Sequence, residues 1–261
     1  MHKISMRVTL GRPKLKRFCL PPRAMEEREP IVSGAEAQHM IHVLRLKPGD
    51  CVEVFDGMGR SAQAEIIWRR HDTVGLRLEG EIRISTRSGS MIILAPALIR
   101  RDKMKFVFQK AVEMGAAAIW PFECTRSVAR ARQGREDEFP KRYERVLIEA
   151  MKQCGTNLLP VLTPPVNLEE VLNRIKPELL GLFLYEDEIS IGFKQVINKV
   201  KSHRGVVLVV GPEGGFTPAE ADKARDHGFY LVSLGRRILR AETAAIIALG
   251  LAQYEWGNLN A

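Results

Sequence analysis

The spacing of apolar residues divides the chain into two parts. Over residues 1–84, short runs of alternating apolar and polar residues are separated by turns that contain glycine or aspartate. Three such runs cover residues 51–55, 61–68 and 73–78. Because successive side chains of a strand point to opposite faces of a sheet, this alternation predicts a small antiparallel sheet or barrel.

A single helical pattern interrupts these runs. The sequence Ser33-Gly34-Ala35-Glu36 resembles a capping box, in which the first and last side chains bond backbone amides at the start of a helix. Apolar residues follow at helical spacing, and Pro48-Gly49-Asp50 ends the pattern. We therefore expect one short helix before the first of the three runs.

Residues 85–90 are polar and rich in serine, which predicts a flexible link. We place the domain boundary there, with one domain at residues 1–84 and a second at residues 91–261. In the second domain, nearly continuous apolar runs predict strands that are covered on both faces. The five predicted strands are residues 91–98, 117–121, 179–185, 206–210 and 230–234.

Segments with helical periodicity lie between these strands. Residues 102–114 and 138–154 each place their apolar residues on one face, as the surface helices of globular proteins do. Strands and helices in alternation predict an α/β domain, built on a parallel sheet with helices on both faces.

The net charge adds a candidate partner. Forty Lys and Arg against thirty-one Asp and Glu give a formal charge of +9, which favours nucleic acid or another polyanion. On charge alone, a protein that binds no polyanion is as consistent with this composition as one that binds nucleic acid. Residues 1–16 carry five of the basic residues. This segment could be an arm that contacts phosphate or an ordinary solvated terminus.

Other features narrow the class of protein. The first residues lack the apolar core of a signal peptide, and no apolar run approaches the length of a membrane span. The four cysteines are scattered, and His39 and His42 have no third metal ligand in view. We therefore expect a cytoplasmic protein with reduced cysteines, no metal and no membrane partner.

The most informative stretch, residues 211–220, directly follows a predicted strand. Three glycines and a proline within five positions let the backbone approach a ligand closely, and Thr217, Pro218 and Glu220 predict the start of a helix. Open α/β sheets bind ligands at such loops, at the carboxyl ends of parallel strands. The alternative is a turn whose glycines serve only the backbone angles.

A second loop, residues 234–245, also follows a predicted strand and enters a helix. Small residues keep that helix thin, and Arg240 and Glu242 near its start could contact a charged ligand. The alternative is a loop with solvated arginines. Neither loop contains Gly-x-x-x-x-Gly-Lys-Ser/Thr or Gly-x-Gly-x-x-Gly, which excludes the two commonest nucleotide-binding motifs at these junctions.

In combination, Gly211-Pro212-Glu213-Gly214-Gly215 and Leu234-Gly235 with residues 238–244 closely resemble the ribosomal RNA small subunit methyltransferase E family, within the SPOUT superfamily of knotted methyltransferases. The first domain resembles that family's PUA-like module at Arg17-Phe18, Pro21, His39, Val43-Leu44-Arg45, Gly49-Asp50 and Phe55-Asp56-Gly57. The second adds Lys103-Met104, Gln109-Lys110, Glu113-Met114-Gly115, Arg126-Ser127 and Gln153-Cys154-Gly155. Lys105, Lys152 and Thr156 depart from the family pattern.

The resemblance implies a fold, a reaction and two partners. The fold would be a PUA-like β-barrel followed by a parallel sheet with a deep trefoil knot. The reaction would be methylation of N3 of a uridine in 16S ribosomal RNA by S-adenosylmethionine. The partners would be 16S ribosomal RNA or the small ribosomal subunit, and a second copy of the chain in a homodimer.

The resemblance also implies site residues. Cofactor binding would fall to Gly211, Pro212, Glu213, Gly214, Gly215, Leu234, Gly235, Ile238, Leu239, Arg240 and Thr243. RNA contacts are expected from Arg17, Arg23, His39, Arg45, Arg100, Lys103 and Arg126. Arg240 is expected to stabilise charge or position phosphate, and Glu242 to orient Arg240, contact the cofactor or act as the base.

Three alternatives stay open. Cys154 invites covalent attack on a pyrimidine, but a small buried side chain at a helix end is the simpler interpretation. The chain could act on transfer RNA or on ribose 2′-hydroxyls, as other knotted methyltransferases do. A non-catalytic RNA-binding protein would use the same basic residues while its glycine loops only shape the fold.

Overall fold

The computed structural model describes residues 15–131, 134, 137–188, 191–200, 203–257 and 259. Residues 1–14, which hold most of the expected basic arm, lie outside the described residues. The chain forms two compact units, Met1–Ile84 and Ser85–Ala261. Their expected division of labour, with RNA binding in the first and catalysis in the second, stays a prediction.

The first unit contains five strands that form a single sheet. The strands are β1 (Arg17–Cys19), β2 (Ile31–Val32), β3 (Cys51–Phe55), β4 (Arg60–Arg69) and β5 (Val74–Ile84). Their order is β1-β3-β4-β5-β2, and every pairing is antiparallel except that of β1 with β3. The three longer strands confirm the three predicted runs. Strands of two or three residues, such as β1 and β2, are too short to show alternation.

The helix of the first unit differs from its prediction at its start. Helix α1 (Gly34–Gln38) begins after Ser33, whose side chain makes no capping hydrogen bond, so the predicted capping box is wrong. Gly34 has a φ of +67°, far from helical geometry at the position where the cap would form. One π-helical turn, His39–Val43, continues the helix.

The second unit is built on a six-stranded sheet whose neighbouring strands are all parallel. The strands of this unit are β6 (Met91–Pro96), β7 (Ala118–Ile119), β8 (Phe122–Glu123), β9 (Val161–Leu162), β10 (Val166–Asn167), β11 (Leu179–Leu184), β12 (Gly205–Val210) and β13 (Tyr230–Val232). The large sheet has the order β13-β11-β12-β6-β7-β9, while β8 and β10 form a separate parallel pair. All five predicted strands are present.

Helices cover this sheet. They are α2 (Arg101–Glu113), α3 (Glu138–Cys154), α4 (Leu168–Asn173), α5 (Phe193–Lys199), α6 (Pro218–Asp226) and α7 (Ala241–Glu255). Helix α7 contacts β6 and β12, and α6 contacts β13. All six residues of β12 are buried, so both faces of the sheet are covered. These observations confirm the predicted α/β architecture, and the trefoil knot stays a prediction.

Candidate functional site

Three adjacent strands of the parallel sheet end at one cavity. Because neighbouring parallel strands finish at the same edge, the segments that follow β11, β12 and β13 converge there. The cavity has a volume of about 610 Å³ and opens to solvent. Its walls come from residues 184–186, 210–212 and 232–239, with Ala241 and Ala244 from the first turns of α7.

The glycines of the first loop are fixed by close neighbours. Gly215 has a φ of +67°, and a β-carbon there would overlap the carboxylate of Glu186, which lines the cavity. A β-carbon at Gly211 would lie 2.9 Å from the ring of Phe216. Side chains at either position would therefore displace a residue of the loop or of the cavity wall.

Gly214 lies against Arg126 rather than against the cavity. A β-carbon at Gly214 would lie 3.2 Å from the β-carbon of Arg126, and the residue is not part of the cavity wall. Gly215 also lies outside the lining, but it abuts Glu186, which belongs to the cavity wall. Glycine at 214 leaves room for the Arg126 side chain against the loop.

Two side chains, those of Arg126 and Glu220, hold this loop in place. Arg126 Nη1 donates to the carbonyl oxygens of Gly214 and Phe216, at 3.0 and 3.3 Å. The Glu220 carboxylate accepts hydrogen bonds from the backbone amides of Thr217 and Thr125, both at 2.8 Å. The predicted cap of α6 by Thr217, with Glu220 completing the box, is confirmed.

The charge of Glu220 is stabilised by these bonds. Burial raises the pKa of the Glu220 carboxyl, but the hydrogen bonds from Thr217 and Thr125 outweigh it, and the pKa lies below the ordinary glutamate value. Because the folded-state pKa is depressed, the stabilisation is present above the ordinary value and is lost as the pH falls through the lowered one. The brace is therefore intact at neutral pH.

The second loop is more exposed than the first. Gly235 has a φ of 111°, and its amide donates to the Ser233 hydroxyl at 3.2 Å. The side chain of Ile238 is 88% exposed although it borders the cavity. Arg240 precedes the first residue of α7 and is also exposed. This wall of the cavity thus has polar and apolar groups that a ligand could cover.

The structure brings together part of the residue set that the sequence predicted for the cofactor. The predicted residues that line the cavity are Gly211, Pro212, Leu234, Gly235, Ile238 and Leu239. Those that lie outside its lining are Glu213, Gly214, Gly215, Arg240 and Thr243. The cofactor role of both sets stays a prediction.

Sequence reasoning missed the wall contributed by β11. Tyr185 and Glu186 directly follow that strand and line the cavity. Their signal was present, because they follow a predicted parallel strand just as the two motif loops do. Their composition did not mark them, whereas glycines, small residues and charged residues mark the two motif loops.

The candidate catalytic residue Glu242 is paired with a residue predicted to bind RNA. Lys103 Nζ of α2 lies 3.2 Å from Glu242 Oε1 of α7. The two side chains are 25% and 15% exposed, so the pair is only partly solvated. Lys103 is therefore engaged within the domain, and its predicted RNA contact would have to compete with this pair.

The other RNA candidates of the second unit have different surroundings. Arg100 precedes α2 and is exposed. Arg126 is also exposed, although its guanidinium holds the glycine loop. Both stay candidates for phosphate contact, and Arg126 would combine that contact with its structural one.

In the first unit, the structure corrects the assignment of Arg17. Its side chain is 3% exposed, pairs with Glu53 at 2.9 Å and lies over the Phe55 ring at 4.5 Å. A buried, paired guanidinium has no free surface for a phosphate, so we assign Arg17 a structural role. His39 is half-buried, with its ring edge-on to Phe18 at 5.9 Å.

Arg23 and Arg45 are exposed, as an RNA contact requires. Arg45 has a φ of 53°, a left-handed conformation that is uncommon for a residue with a side chain. Both stay predictions for the RNA-binding surface of this unit.

We predict that Arg17→Ala lowers the free energy of unfolding of the first unit by about 2–3 kcal/mol, because it removes the buried half of the ion-pair group around Glu53, which keeps its pair with Arg83, and removes packing over Phe55. Urea unfolding followed by circular dichroism would measure the change. Arg23→Ala is the matched control and should change stability by less than about 0.5 kcal/mol. Equal stability of the two variants would contradict the structural role of Arg17.

Cys154 is exposed at the end of α3, so the expected burial of this side chain is wrong. Helix α3 ends at Gly155, which has a φ of 90°, and this turn leaves the thiol at the surface. All four cysteines are free, and Cys124 is the buried one. Among the described residues, no group of three or more His, Cys, Asp or Glu could hold a metal ion.

Two of the three departures from the family pattern have a visible setting. Lys152 pairs with Glu149 on the same helix at 3.0 Å, and Thr156 Oγ1 accepts from the amide of Leu158 at 3.3 Å. Lys105 is exposed on α2. None of the three lines the cavity at the ends of β11, β12 and β13.

Comparisons with known proteins match both units. One family model, described as an RNA methyltransferase domain, matches residues 86–253, and another, an RNA methyltransferase PUA domain, matches residues 32–67. A ribosomal RNA small subunit methyltransferase E of Buchnera aphidicola subsp. Schizaphis graminum (strain Sg) is 30% identical over 237 residues, which cover 88% of this chain and 92% of that protein.

Solved structures are similar over nearly the whole chain. A ribosomal RNA small subunit methyltransferase E from Neisseria gonorrhoeae, bound to S-adenosyl methionine, has a TM-score of 0.83 at 27% identity and covers 94% of this chain and 99% of that one. A Legionella pneumophila protein in complex with the bound cofactor SAM has a TM-score of 0.85 at 30% identity, with 95% and 100% covered.

Proposed function

The chain belongs to the ribosomal RNA small subunit methyltransferase E family, and from that premise we propose that it methylates N3 of a uridine in 16S ribosomal RNA with S-adenosylmethionine. The observation that carries the proposal is the cavity in which both motif loops meet. Similarity to structures that hold this cofactor supports the same methyl donor here.

The cavity offers the chemistry that this cofactor needs. It is an open, concave site at the carboxyl ends of parallel strands, where small molecules bind in such sheets. Its lining includes the apolar residues Leu184, Val210 and Leu239, which suit an adenine ring, and the polar residues Tyr185 and Glu186. A carboxylate suits either the ammonium group of the methionine part or the ribose hydroxyls. The residues present therefore fit the group.

Uracil N3 carries a proton and is a poor nucleophile until that proton leaves. The bound cofactor supplies an electrophilic methyl group on a sulfonium sulfur. The protein must then favour the uracil anion, through a base or a positive charge. Arg240 is our candidate for that charge, because its neighbours Leu239 and Ala241 both line the cavity. Alignment of N3 with the methyl group accounts for much of the remaining acceleration.

Glu242 is our second candidate, and Lys103 positions it. The ion pair at 3.2 Å fixes the carboxylate between α2 and α7, near the cavity wall formed by Ala241. From there Glu242 could orient Arg240, contact the cofactor or accept the N3 proton. Lys103 acts through Glu242 in each case, because its charge holds the carboxylate in one place.

The proposed homodimer has a candidate contact surface on α7. Ile247, Leu251 and Tyr254 are exposed and recur at helical spacing, so they form an apolar stripe. Such a stripe supports packing against a second copy.

A cytoplasmic location also stays a proposal. In the described part of the chain, no helix has both the length and the apolar character that a membrane span requires.

We predict that cells without this protein lose N3-methyluridine from 16S ribosomal RNA, because the enzyme that aligns uracil N3 with the methyl group of the cofactor is then missing. Nucleoside mass spectrometry of purified 16S RNA measures it, with restoration of the wild-type gene as control. If no methyluridine disappears, the substrate is wrong. Calorimetry with S-adenosylmethionine then separates a different RNA target, where the cofactor binds, from a non-catalytic RNA-binding protein, where it does not.

A further inference from the structure

A second cavity lies at the same edge of the parallel sheet, past the end of β6. It encloses about 520 Å³ of space, part of which is open to solvent. Its floor is apolar and aromatic, since Leu98, Met104, Phe139 and Tyr143 line it and are buried. The Phe139 and Tyr143 rings lie 4.8 Å apart and form a continuous surface.

The rim of this cavity carries three arginines from three separate segments. Arg101 comes from α2, Arg130 from the loop after β8 and Arg142 from α3. Arg130 pairs with Glu123 at 3.1 Å, whereas Arg101 and Arg142 form no ion pair with another described residue. Among the described residues that line the cavity none is acidic, so this part of the rim carries an excess of positive charge.

Two of these arginines face the cavity floor. Burial raises the pKa of the Tyr143 hydroxyl, and the positive charges of Arg142 and Arg101 act against that rise. Both guanidinium groups are thus close enough to the phenol to act on it electrostatically. The cavity therefore combines an aromatic floor with nearby cations, which are the two groups that bind a base and its phosphate.

The second cavity is adjacent to the first. The amide of Ala97 donates to the carbonyl of Val210 at 2.8 Å, and the next residue, Leu98, lines the second cavity while Val210 lines the first. The ion pair of Lys103 with Glu242 joins the helices whose first turns reach the two cavities. The two cavities thus lie past the ends of the neighbouring parallel strands β6 and β12.

We propose that this arginine-rimmed cavity binds a nucleotide of the substrate RNA close along the strand to the target uridine, with its base on the aromatic floor and its phosphate on Arg101 and Arg142. The inference rests on the proposed function and names the substrate-positioning subsite of the same enzyme. Planar guanidinium groups bind phosphate in a bidentate manner, and the aromatic floor favours a base over an acidic peptide.

The test compares two double variants that lose the same charge. Arg101→Gln with Arg142→Gln removes the rim, whereas Lys223→Gln with Arg225→Gln removes two exposed charges of α6 that line neither cavity. Fluorescence anisotropy with 16S ribosomal RNA transcribed in vitro measures affinity. The rim variant should bind roughly tenfold more weakly, and the slope of log K against log salt should become shallower by about 1.4–1.8.

A third variant separates the cavity from its charge. Ala129 lines the cavity, and Ala129→Phe fills it while it keeps all three arginines. This variant should also weaken RNA binding several-fold, and S-adenosylmethionine affinity by calorimetry should be unchanged in all variants. Calorimetry also shows that each variant still folds its cofactor site.

Three outcomes would overturn the inference. The rim variant could bind RNA as the wild type does, the α6 control could lose as much affinity as the rim variant, or Ala129→Phe could leave binding unchanged. Each would show that the cavity holds no nucleotide. Failure of the proposed function gives a different result. The wild-type protein would then bind this RNA in the anisotropy assay, but a separate methyl-transfer assay would detect no methylation of it.

Discussion

Gly215→Val should weaken S-adenosylmethionine binding by about a hundredfold, or about 2.7 kcal/mol. Gly215 has a φ of +67°, which a β-branched residue adopts only with strain. The new side chain would also occupy the place of the Glu186 carboxylate, which lines the cavity. Strain and displacement act together on the wall that the cofactor would contact. Isothermal titration calorimetry measures the affinity.

Gly228→Val is the matched control. Gly228 also has a positive φ, +82°, but a β-carbon there meets no atom within 4 Å and the residue is not part of the cavity wall. The control should lose stability without losing cofactor affinity. Equal affinity of the Gly215 variant and the wild type would remove the first motif loop from the cofactor site.

Arg240→Ala should lower kcat by about 10²–10³, because it removes a positive charge that favours the uracil anion in the transition state. Cofactor affinity should change less, since the charge acts mainly on the RNA base. Arg240→Lys keeps the charge and should retain more activity than the alanine variant. Methyl transfer to 16S ribosomal RNA at saturating cofactor measures the effect, with folding checked by circular dichroism.

Cys154→Ser is the comparison that tests the rival chemistry. Direct transfer to a ring nitrogen needs no covalent adduct, and the exposed thiol lines neither cavity, so this variant should keep most of its activity. A folded but inactive Cys154→Ser enzyme beside a fully active Arg240→Ala enzyme would reverse the assignment. It would indicate covalent attack on the base and methylation at carbon.

The sequence predicted the long elements because their periodicity is long enough to read. Strands such as β11 and β12, with six residues each, stand out as continuous apolar runs. Strands β8, β9 and β10 have two residues each, and their positions depend on the neighbours they pair with. The two-residue strand β7 lies within the apolar run 117–121 and was predicted, whereas β8, β9 and β10 match none of the predicted runs and are defined by tertiary contacts.

The sequence predicted the parts of the candidate site that have a distinctive amino-acid composition. It did not predict roles that depend on whether a side chain is buried in the folded chain. The first motif loop stands out by its glycines, and both motif loops line one cavity. Arg17 was expected to contact RNA, but its burial depends on Glu53 and Phe55, which lie 36 or more residues away in sequence. Glu186 was missed because a single carboxylate after a strand has no composition that marks it.

The brace formed by Arg126 and Glu220 has a thermodynamic consequence for ligand binding. Ordering a flexible backbone costs about 1–2 kcal/mol per residue, a cost that a disordered loop would incur each time a ligand arrives. Here Arg126 holds Gly214 and Phe216, and Glu220 ties Thr125 to Thr217, so the loop is already ordered by its own domain. Most of the conformational entropy of the loop is lost during folding. The loop is therefore preorganised, and little of the binding free energy is spent on ordering it.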